Sequence, residues 1–268
     1  MNIPKIPTAL TIAGSDSGGG AGIQADLRTF AFHCVHGMSA LTCVTAQNTL
    51  GVTRVDALPV ASVVAQLEAV VGDIGVDATK TGMLLNQEII MAVAQQVEIL
   101  GLSQLVVDPV MVSRMGAQLI TNEAIATLRD HLIPQALIVT PNRYEAQILA
   151  DMEIQTLEDM QIAAQNIYHL GAKYVLVKGG SMTGELRGVD VWFDGDEFQV
   201  LQTTMVDTRH THGTGCTLSS AIAANLALGK SPLAAAQAGK DYIIEALKHS
   251  LAIGSGIGPV GHFYPLLK

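Results

Sequence analysis

The chain has 268 residues, 49% of them hydrophobic and 15% charged, so it is long and apolar enough to bury a large core. Its net charge of −9 argues against a nucleic-acid or anionic-membrane partner, because such partners bind clustered lysines and arginines. Its three cysteines show neither a CxxC motif nor metal-ligand spacing, which excludes a disulfide framework and a zinc site and favours the reducing cytoplasm.

Short β-branched runs alternate with amphipathic segments, which predicts a single α/β domain, 1–268, with a mostly parallel sheet. In chain order the predicted elements are strand 8–13, helix 22–33, strand 41–46, helix 60–73, strand 76–80, helix 87–100, strand 104–108, helix 121–131, strand 136–140, helix 156–170, strand 173–178, hairpin strands 188–193 and 197–201, and helices 214–228 and 232–249. Helix 214–228 is the most apolar, but its serines and asparagine are typical of a buried core helix rather than a membrane span. The glycine-rich stretch 254–261 is the expected flexible end.

A glycine-rich loop, residues 14–22, separates the first strand from the first helix, and such a loop lets a ligand approach the backbone closely. It is not a Walker phosphate loop, because no Lys-Ser or Lys-Thr follows the glycines. Residues 20–25 satisfy the GxGxxA pattern of a dinucleotide site, yet residues 41–49 contain no acid for a ribose hydroxyl. A turn without a ligand is the plainer alternative.

Polar residues follow later strands at the edge where open α/β sheets bind ligands. Asp108 ends one predicted strand, and Glu145 lies one turn into the helix that follows the next. Two such carboxylates can hold Mg²⁺ through water and triphosphate oxygens, although each is equally typical of a loop or a helix start. Lys178 ends strand 173–178, where it can neutralise a phosphate or simply be solvated.

Residues 207–216 form the most informative segment, a loop that runs into a helix. Gly213 and Gly215 let backbone N–H groups surround an anion, and the helix that starts near Thr214 adds the positive end of its dipole. Cys216 lies in the first turn, which predicts a thiol pKa below its ordinary value of about 8.5 and a base beside a phosphate site. The alternative is a small buried structural cysteine. His210 and His212 bracket the loop, and a conformational or hydrogen-bonding role is expected for them rather than one as acids, because neither has an evident acidic partner in sequence.

These motifs resemble those of the ribokinase-like superfamily and, within it, the hydroxymethylpyrimidine and phosphomethylpyrimidine kinases of thiamine biosynthesis. The resemblance rests on segments 13–26, 45–49, 80–84, 108–111, 140–145, 177–180 and 212–218, in the family's order. Cys216 stands where most of the superfamily has Asp, which marks the pyrimidine-kinase branch. The resemblance implies a three-layer α/β/α sandwich and transfer of the γ-phosphoryl group of ATP to 4-amino-5-hydroxymethyl-2-methylpyrimidine and then to its monophosphate.

The resemblance also implies residue roles. Cys216 takes the proton of the attacking hydroxyl, while the amides of Gly213, Thr214, Gly215 and Cys216, with Lys178, stabilise the transferring phosphoryl group. The implied substrate-binding residues are Gln47, Asp26, Gly14 and Met83. The implied nucleotide-binding residues are Lys178, Asn142, Gly180 and Lys240, and the implied Mg²⁺ ligands are Asp108 and Glu145. A homodimer is expected on the same ground.

Three other functions remain open at this point. A pyridoxal kinase is the nearest, because pyridoxal also carries a CH₂OH group on its ring, and one enzyme can accept both substrates. A hydrolase with Cys216 as nucleophile and His210 or His212 as base is disfavoured by the phosphate-site motifs elsewhere in the chain. A non-catalytic protein that binds a nucleotide or a vitamer is disfavoured by the presence of Cys216 and Lys178.

Overall fold

Ten strands occur in the part of the chain that the structure describes, residues 5–112 and 118–267 of a computed structural model. They are β1 Thr8–Ala13, β2 His36–Leu41, β3 Cys43–Gln47, β4 Val52–Ala57, β5 Ala78–Thr81, β6 Leu105–Val107, β7 Ile138–Val139, β8 Tyr174–Val177, β9 Asp190–Phe193 and β10 Phe198–Leu201. Eight form one sheet in the order β10-β9-β8-β7-β6-β5-β1-β2. The strands from β2 to β8 in that sheet run parallel, and β9 and β10 form an antiparallel hairpin at one end. The predicted mostly parallel sheet and C-terminal hairpin are confirmed.

The described residues also contain eight α-helices. They are α1 Gly22–Phe32, α2 Val60–Asp73, α3 Gln87–Ile99, α4 Asn122–Thr127, α5 Arg143–Ala150, α6 Leu157–Tyr168, α7 Thr214–Ala227 and α8 Pro232–Lys248. Side chains cap the N-termini of α3, α4, α5 and α6, whereas no side chain caps α7. Among these described helices, none has the length and apolar character needed to span a membrane.

The helices cover both faces of the sheet, because alternate residues of each buried strand point to opposite sides. Val106 packs with α1, α7 and α8, while its neighbours Leu105 and Val107 pack with the helices of the other face. Residues from α2 to α6 make up that second layer. The three-layer α/β/α sandwich expected from the resemblance is therefore confirmed.

The parallel strands end together at one edge of the sheet. The register places Ile12 beside Thr81, Thr81 beside Val107, Val107 beside Val139 and Val139 beside Val175. The loops that follow β1, β5, β6, β7 and β8 therefore meet at this carboxyl edge. Every motif that the sequence analysis singled out lies in or beside one of these loops or on α7.

The predicted strand 41–46 was wrong in its bounds and its place. The strand that joins the central sheet is β2, an edge strand whose His36, Gly37 and Ser39 hide the expected apolar pattern. Residues Cys43–Gln47 instead pair antiparallel with β4 in a separate two-stranded sheet. All six residues of β4 are exposed, so no hydrophobic alternation marks that strand in the sequence.

The glycine-rich stretch 254–261 is not the flexible end that its composition predicted. Gly256 donates its N–H to Thr49 Oγ1 at 3.2 Å, and Gly258 donates to His210 Nδ1 at 3.0 Å. His212 and Pro259 form a parallel bridge. The stretch is therefore fastened along the loop that leads to α7, and its glycines allow this close backbone contact because a Cβ on Gly256 or Gly258 would overlap a neighbouring carbonyl.

Candidate active site

Asp16 organises the loop between β1 and α1. Its carboxylate accepts hydrogen bonds from the amides of Gly18, Gly20 and Ala21 at 2.8, 3.0 and 2.8 Å. His212 Nε2 lies 2.7 Å from Asp16 Oδ2, so an acid of the first loop binds a histidine of the loop before α7. Although burial raises the pKa of Asp16, the His212 hydrogen bond and charge together with the amides lower it below its ordinary value. His212 thus has an acidic partner in the fold that was not evident in the sequence, and its role stays a prediction.

The two glycine loops touch through their backbones. Gly213 has a φ of +79°, and a Cβ there would overlap the carbonyl oxygen of Gly20. Gly22 has a φ of +55°, and a Cβ there would crowd the carbonyl oxygen of Gly14. Only glycine combines this conformation with so close an approach. The N-termini of α1 and α7 are consequently brought side by side.

Cys216 lies at this junction, in the first turn of α7. The thiol is half-buried, and the Gly22 amide lies close enough to lower its pKa. Burial raises its pKa to about 11, Lys80 acts in the opposite direction, and the charges of Asp26 and Asp108 add to the rise. The predicted depressed pKa is therefore wrong for this state of the protein, because removal from water outweighs the helix dipole and the nearby ammonium.

A closed ion pair lies one turn deeper. Lys80 Nζ is 3.0 and 2.9 Å from the two carboxylate oxygens of Asp26, and both side chains are fully buried. Thr11 and Ser220 each donate a hydroxyl to the same carboxylate at 2.6 Å. Asp26, an implied substrate residue, thus lies beneath the surface of the site with both oxygens occupied.

A second ion pair lies at the ends of β6 and β8. Lys178 Nζ is 2.8 Å from Asp108 Oδ1, and Ser219 of α7 donates to Asp108 Oδ2 at 3.2 Å. Gly215 faces this pair, since a Cβ built there would lie 3.5 Å from Lys178 Nζ. The structure therefore brings an ammonium to the first turn of α7, where the predicted phosphate site lies.

Asn142 and Glu145 form a capping box at the start of α5. The Asn142 side chain accepts from the amides of Tyr144 and Glu145, while a Glu145 carboxylate oxygen accepts from the Asn142 amide at 2.8 Å. Burial raises the pKa of Glu145 to about 8, the Lys178 charge lowers it, and the Asp108 charge raises it. Burial thus favours the protonated form of this carboxyl group, and a bound cation would favour the ionised form.

The donor set at this edge suits magnesium better than a transition metal. Within the described residues no group of three or more His, Cys, Asp or Glu side chains is placed to hold a metal ion. Asp108 and Glu145 supply two carboxylates, and Mg²⁺ keeps several waters and is bound through one or two carboxylates plus substrate phosphates. The pair is compatible with an ion that arrives with a nucleotide.

The implied pyrimidine-binding residues lie on the β1 and β3 side of the junction. Gln47 Nε2 is 3.4 Å from His212 Nε2. The Gly14 amide donates to the Met83 carbonyl oxygen at 3.1 Å, and a Cβ on Gly14 would crowd both Cys43 Sγ and the Met83 side chain. The structure therefore places Gln47 beside the loop before α7, and Gly14 and Met83 against each other.

Lys240 and Gly180 lie farther from Cys216 along the sheet edge. Lys240 Nζ binds Asp190 Oδ2 and the Gly188 carbonyl oxygen, each at 2.6 Å, and is buried beneath the loop after β8. Asp190 also accepts the Gly179 amide at 2.8 Å. Lys240 therefore holds this loop in place, while Gly180 is exposed with open space around it.

Four residues that contribute to the site were not predicted from the sequence. Asp16, Lys80, Ser219 and Ser220 were not assigned a role, although the first two lie inside quoted motifs. Ser219 and Ser220 follow Cys216 by three and four residues, which places them on the same side of α7 one turn below it. That spacing was the available signal for both serines.

Comparisons with known proteins agree with this geometry. A family model described as phosphomethylpyrimidine kinase matches residues 16–261. The hydroxymethylpyrimidine/phosphomethylpyrimidine kinase of Synechococcus elongatus is 63% identical, over 97% of this chain and 99% of its own. The phosphomethylpyrimidine kinase structure from Clostridium difficile has 44% identity and a TM-score of 0.82, over 91% of this chain and 100% of that chain. The ADP complex of Bacillus subtilis pyridoxal kinase has 41% identity and a TM-score of 0.92, over 98% of this chain and 100% of that chain.

Proposed function

Because the chain belongs to the phosphomethylpyrimidine kinase family, we infer that it transfers the γ-phosphoryl group of ATP to 4-amino-5-hydroxymethyl-2-methylpyrimidine and then to the resulting monophosphate. It is thus a phosphotransferase of thiamine biosynthesis. The observation that carries this function is the N-terminus of α7, where Cys216 lies on an uncapped first turn with the Lys178 ammonium beside Gly215. A base and an anion site there face one another.

The first transfer requires an alcohol to lose its proton. We assign this proton to the Cys216 sulfur in its thiolate form. The hydroxyl oxygen then bonds to the γ-phosphorus, and the bond from that phosphorus to the bridging oxygen breaks, so that ADP leaves with the electron pair. The amides of Gly213, Thr214, Gly215 and Cys216 stabilise the charge on the transferring phosphoryl oxygens.

The second transfer uses an acceptor that is already an anion. A phosphate monoester is ionised at neutral pH, so its attack needs no strong base. It needs cations, because acceptor and donor phosphates repel one another. Lys178 meets this need in both steps if a phosphate oxygen takes the place of Asp108 on its ammonium.

The nucleotide is proposed to lie along the ends of β6, β7 and β8. Lys178, Asn142, Gly180 and Lys240 are the proposed nucleotide residues, and Asp108 and Glu145 the proposed ligands of Mg²⁺. When bound, the ion would neutralise β- and γ-phosphate charge. The ADP complex of the related Bacillus subtilis pyridoxal kinase supports ATP as the co-substrate.

The pyrimidine is proposed to lie against Gln47, Gly14 and Met83. The Gln47 amide can donate to one ring or amino edge of the pyrimidine and accept from another. Asp26 is proposed to support the pyrimidine pocket indirectly, because it lies on α1 beneath the surface of the site. We further propose a single domain, a cytoplasmic location and, from the family resemblance alone, a homodimer; the three free cysteines support a reducing compartment.

A second candidate activity is phosphorylation of pyridoxal. It is favoured by the TM-score of 0.92 and 41% identity to the Bacillus subtilis pyridoxal kinase. Both candidate acceptors present a ring-borne CH₂OH group to the same base. The 63% identity to the Synechococcus elongatus enzyme favours the pyrimidine as the main substrate.

Phosphorus NMR of the purified protein with Mg-ATP and one acceptor at a time tests the proposal. We expect the pyrimidine monophosphate signal first and the diphosphate signal after it. Product from pyridoxal alone would replace the pyrimidine assignment with the second candidate. Intact ATP with both acceptors, in a folded sample, would contradict both.

A further inference from the structure

Helices α1 and α7 make two successive contacts, one turn apart. In the upper contact the Gly22 amide lies close enough to the Cys216 thiol to lower its pKa. In the lower contact Ser220 Oγ donates to Asp26 Oδ1 at 2.6 Å. Asp26 follows Gly22 by four residues and Ser220 follows Cys216 by four, so each helix advances by one turn between the contacts. Residues four apart on a helix face lie about 5–6 Å from one another.

Lys80 reaches the lower contact from β5. Its Nζ lies 3.0 Å from the same Asp26 oxygen that Ser220 binds, and its side chain has 0% exposure. Gly82 makes room for the ammonium, because a Cβ there would lie 2.9 Å from Lys80 Nζ. A fixed positive charge, sealed from solvent, is thereby held one turn beneath the thiol.

We propose that Lys80 is a positioning residue for Cys216, whose buried ammonium stabilises the thiolate, while the carboxylate of Asp26 limits that effect. The proposal rests on the proposed function, in which Cys216 takes the proton of the alcohol. It assigns the Asp26–Lys80 pair an electrostatic role in the first phosphoryl transfer. It also explains why a lysine is buried where a pair of apolar residues would fold as well.

Four charged groups face the thiol from the elements packed around it: Lys80 of β5, Asp26 of α1, and Asp108 and Lys178 at the ends of β6 and β8. After burial, the Lys80 charge has the largest influence on the pKa of Cys216, and it lowers it. Lys178 is paired with Asp108 and lies where phosphate is proposed to bind, so its field at the thiol changes with the nucleotide. Lys80 has no such exchange partner and its field persists.

The test compares Lys80→Met with Asp26→Asn. Iodoacetamide reacts with thiolate, and at pH 8, far below the pKa of about 11, the rate follows the thiolate fraction. We expect Lys80→Met to slow alkylation of Cys216 by about tenfold or more and Asp26→Asn to speed it by a similar factor, since tenfold corresponds to one pKa unit. Cys34 is exposed, so all variants carry Cys34→Ser and the Cys216 peptide is followed by mass spectrometry.

Opposite directions distinguish charge from structure, because general loosening of the helix contact would speed alkylation in both variants. Changes in the same direction, or none, would overturn the proposal. If Lys80→Met does not fold, the neutral pair Lys80→Met/Asp26→Asn is compared with Asp26→Asn. Both lack the carboxylate and only Asp26→Asn keeps the ammonium, so we expect slower alkylation in the neutral pair, and equal rates would overturn the proposal. Thiolate absorbance at 240 nm, corrected with Cys216→Ser, repeats the comparison without dependence on access of the reagent.

Two serines provide a matched control. Ser219→Ala removes a hydroxyl that contacts Asp108 and the carbonyl oxygens of Gly215 and Cys216, and Ser220→Ala removes the one that binds Asp26. We expect only Ser220→Ala to alter the alkylation rate, and an effect confined to Ser219→Ala would assign the control of the thiol to the other ion pair. All of these measurements use protein without ATP or acceptor, so the proposed kinase function can fail in the NMR assay while this inference stands, and the reverse.

Discussion

The Asp26–Lys80 and Asp108–Lys178 ion pairs consist of the same two residue types, and consecutive serines of α7 bind them, yet their surroundings differ. The first pair has 0% exposure on both side chains, and hydroxyls from β1 and α7 complete its hydrogen bonds. The second is open at one side, with 11% of the Lys178 side chain exposed and the glycine of the α7 first turn facing it.

This difference in solvent exposure implies different roles for the two lysines. Lys80 keeps its carboxylate partner and acts through its electric field, whereas Lys178 can exchange its partner for a ligand. A lysine that cannot reach solvent or ligand keeps its carboxylate partner in every state of the protein, so it acts only through its field on neighbours such as Cys216. Lys178 is better placed to exchange Asp108 for a phosphate oxygen, because 11% of its side chain is exposed and Gly215 faces its ammonium. Burial raises the pKa of Glu145 beside this pair, so a cation bound there would favour the ionised form of its carboxyl group.

The largest expected effect is a loss of rate that is far greater in the first phosphoryl transfer than in the second, in the variant Cys216→Ala. Cys216→Ala removes the base that only the alcohol acceptor needs, so we expect the first transfer to slow by about 10²–10⁴-fold, the usual contribution of a general base. The second transfer should slow far less, because its acceptor is already ionised. Single-turnover rates with each acceptor measure both steps, and equal losses would contradict the assignment of Cys216 as base.

Lys178→Met tests the role of the Asp108–Lys178 pair. Loss of the exchangeable ammonium removes stabilisation from the phosphoryl group in both transfers, and removal of one such group costs about 10²–10³-fold in rate. We expect the ratio of the two rates to stay close to that of the unaltered protein. A loss confined to the first transfer would mean that Lys178, like Lys80, acts mainly through Cys216.

Unfolding free energies sharpen the contrast between closed and open pairs. Lys80→Met leaves a buried carboxylate without its cation, which typically costs about 3–5 kcal/mol. We expect Lys178→Met to cost less, because 11% of the Lys178 side chain is exposed whereas Lys80 has 0% exposure. Urea unfolding of both variants checks this, and equal losses would mean that the second pair is as closed as the first.

The sequence predicted the strands that are buried on both faces of the sheet. The apolar runs around Val106, Ile138 and Val175 predicted β6, β7 and β8 within three residues of their observed ends. β2 and β4 were missed because an edge strand and an exposed strand carry no continuous apolar run. A run of apolar residues identifies a strand that is buried on both faces. β2 and β4 instead form through hydrogen bonds to neighbouring strands, which their composition does not show.

The sequence predicted the loops that form the site but not the contacts between their residues. Glycines and the Cys216 helix start marked the loops, since backbone conformation and close approach restrict residue type locally. The contact of Asp16 with His212 joins residues 196 apart, and that of Asp26 with Lys80 joins residues 54 apart. Such pairs depend on the path of the chain, and so does the burial that raises the pKa of Cys216 against the expectation from its helix position.

The smallest expected effect concerns Gln47, on the acceptor side of the closed pair. Gln47→Ala removes an amide that can bind the pyrimidine ring, so we expect the KM for the pyrimidine to rise about tenfold, equivalent to one hydrogen bond of about 1.4 kcal/mol. The KM for ATP and the Lys178 side of the site should be unchanged, because the hydrogen bonds of the Gln47 side chain go to His212 and Thr45. His212→Gln is the matched comparison, since it alters the partner of Gln47 and leaves the amide in place. A pyrimidine KM that is unaltered in Gln47→Ala but raised in His212→Gln would remove Gln47 from the pocket and assign ring recognition to the histidine.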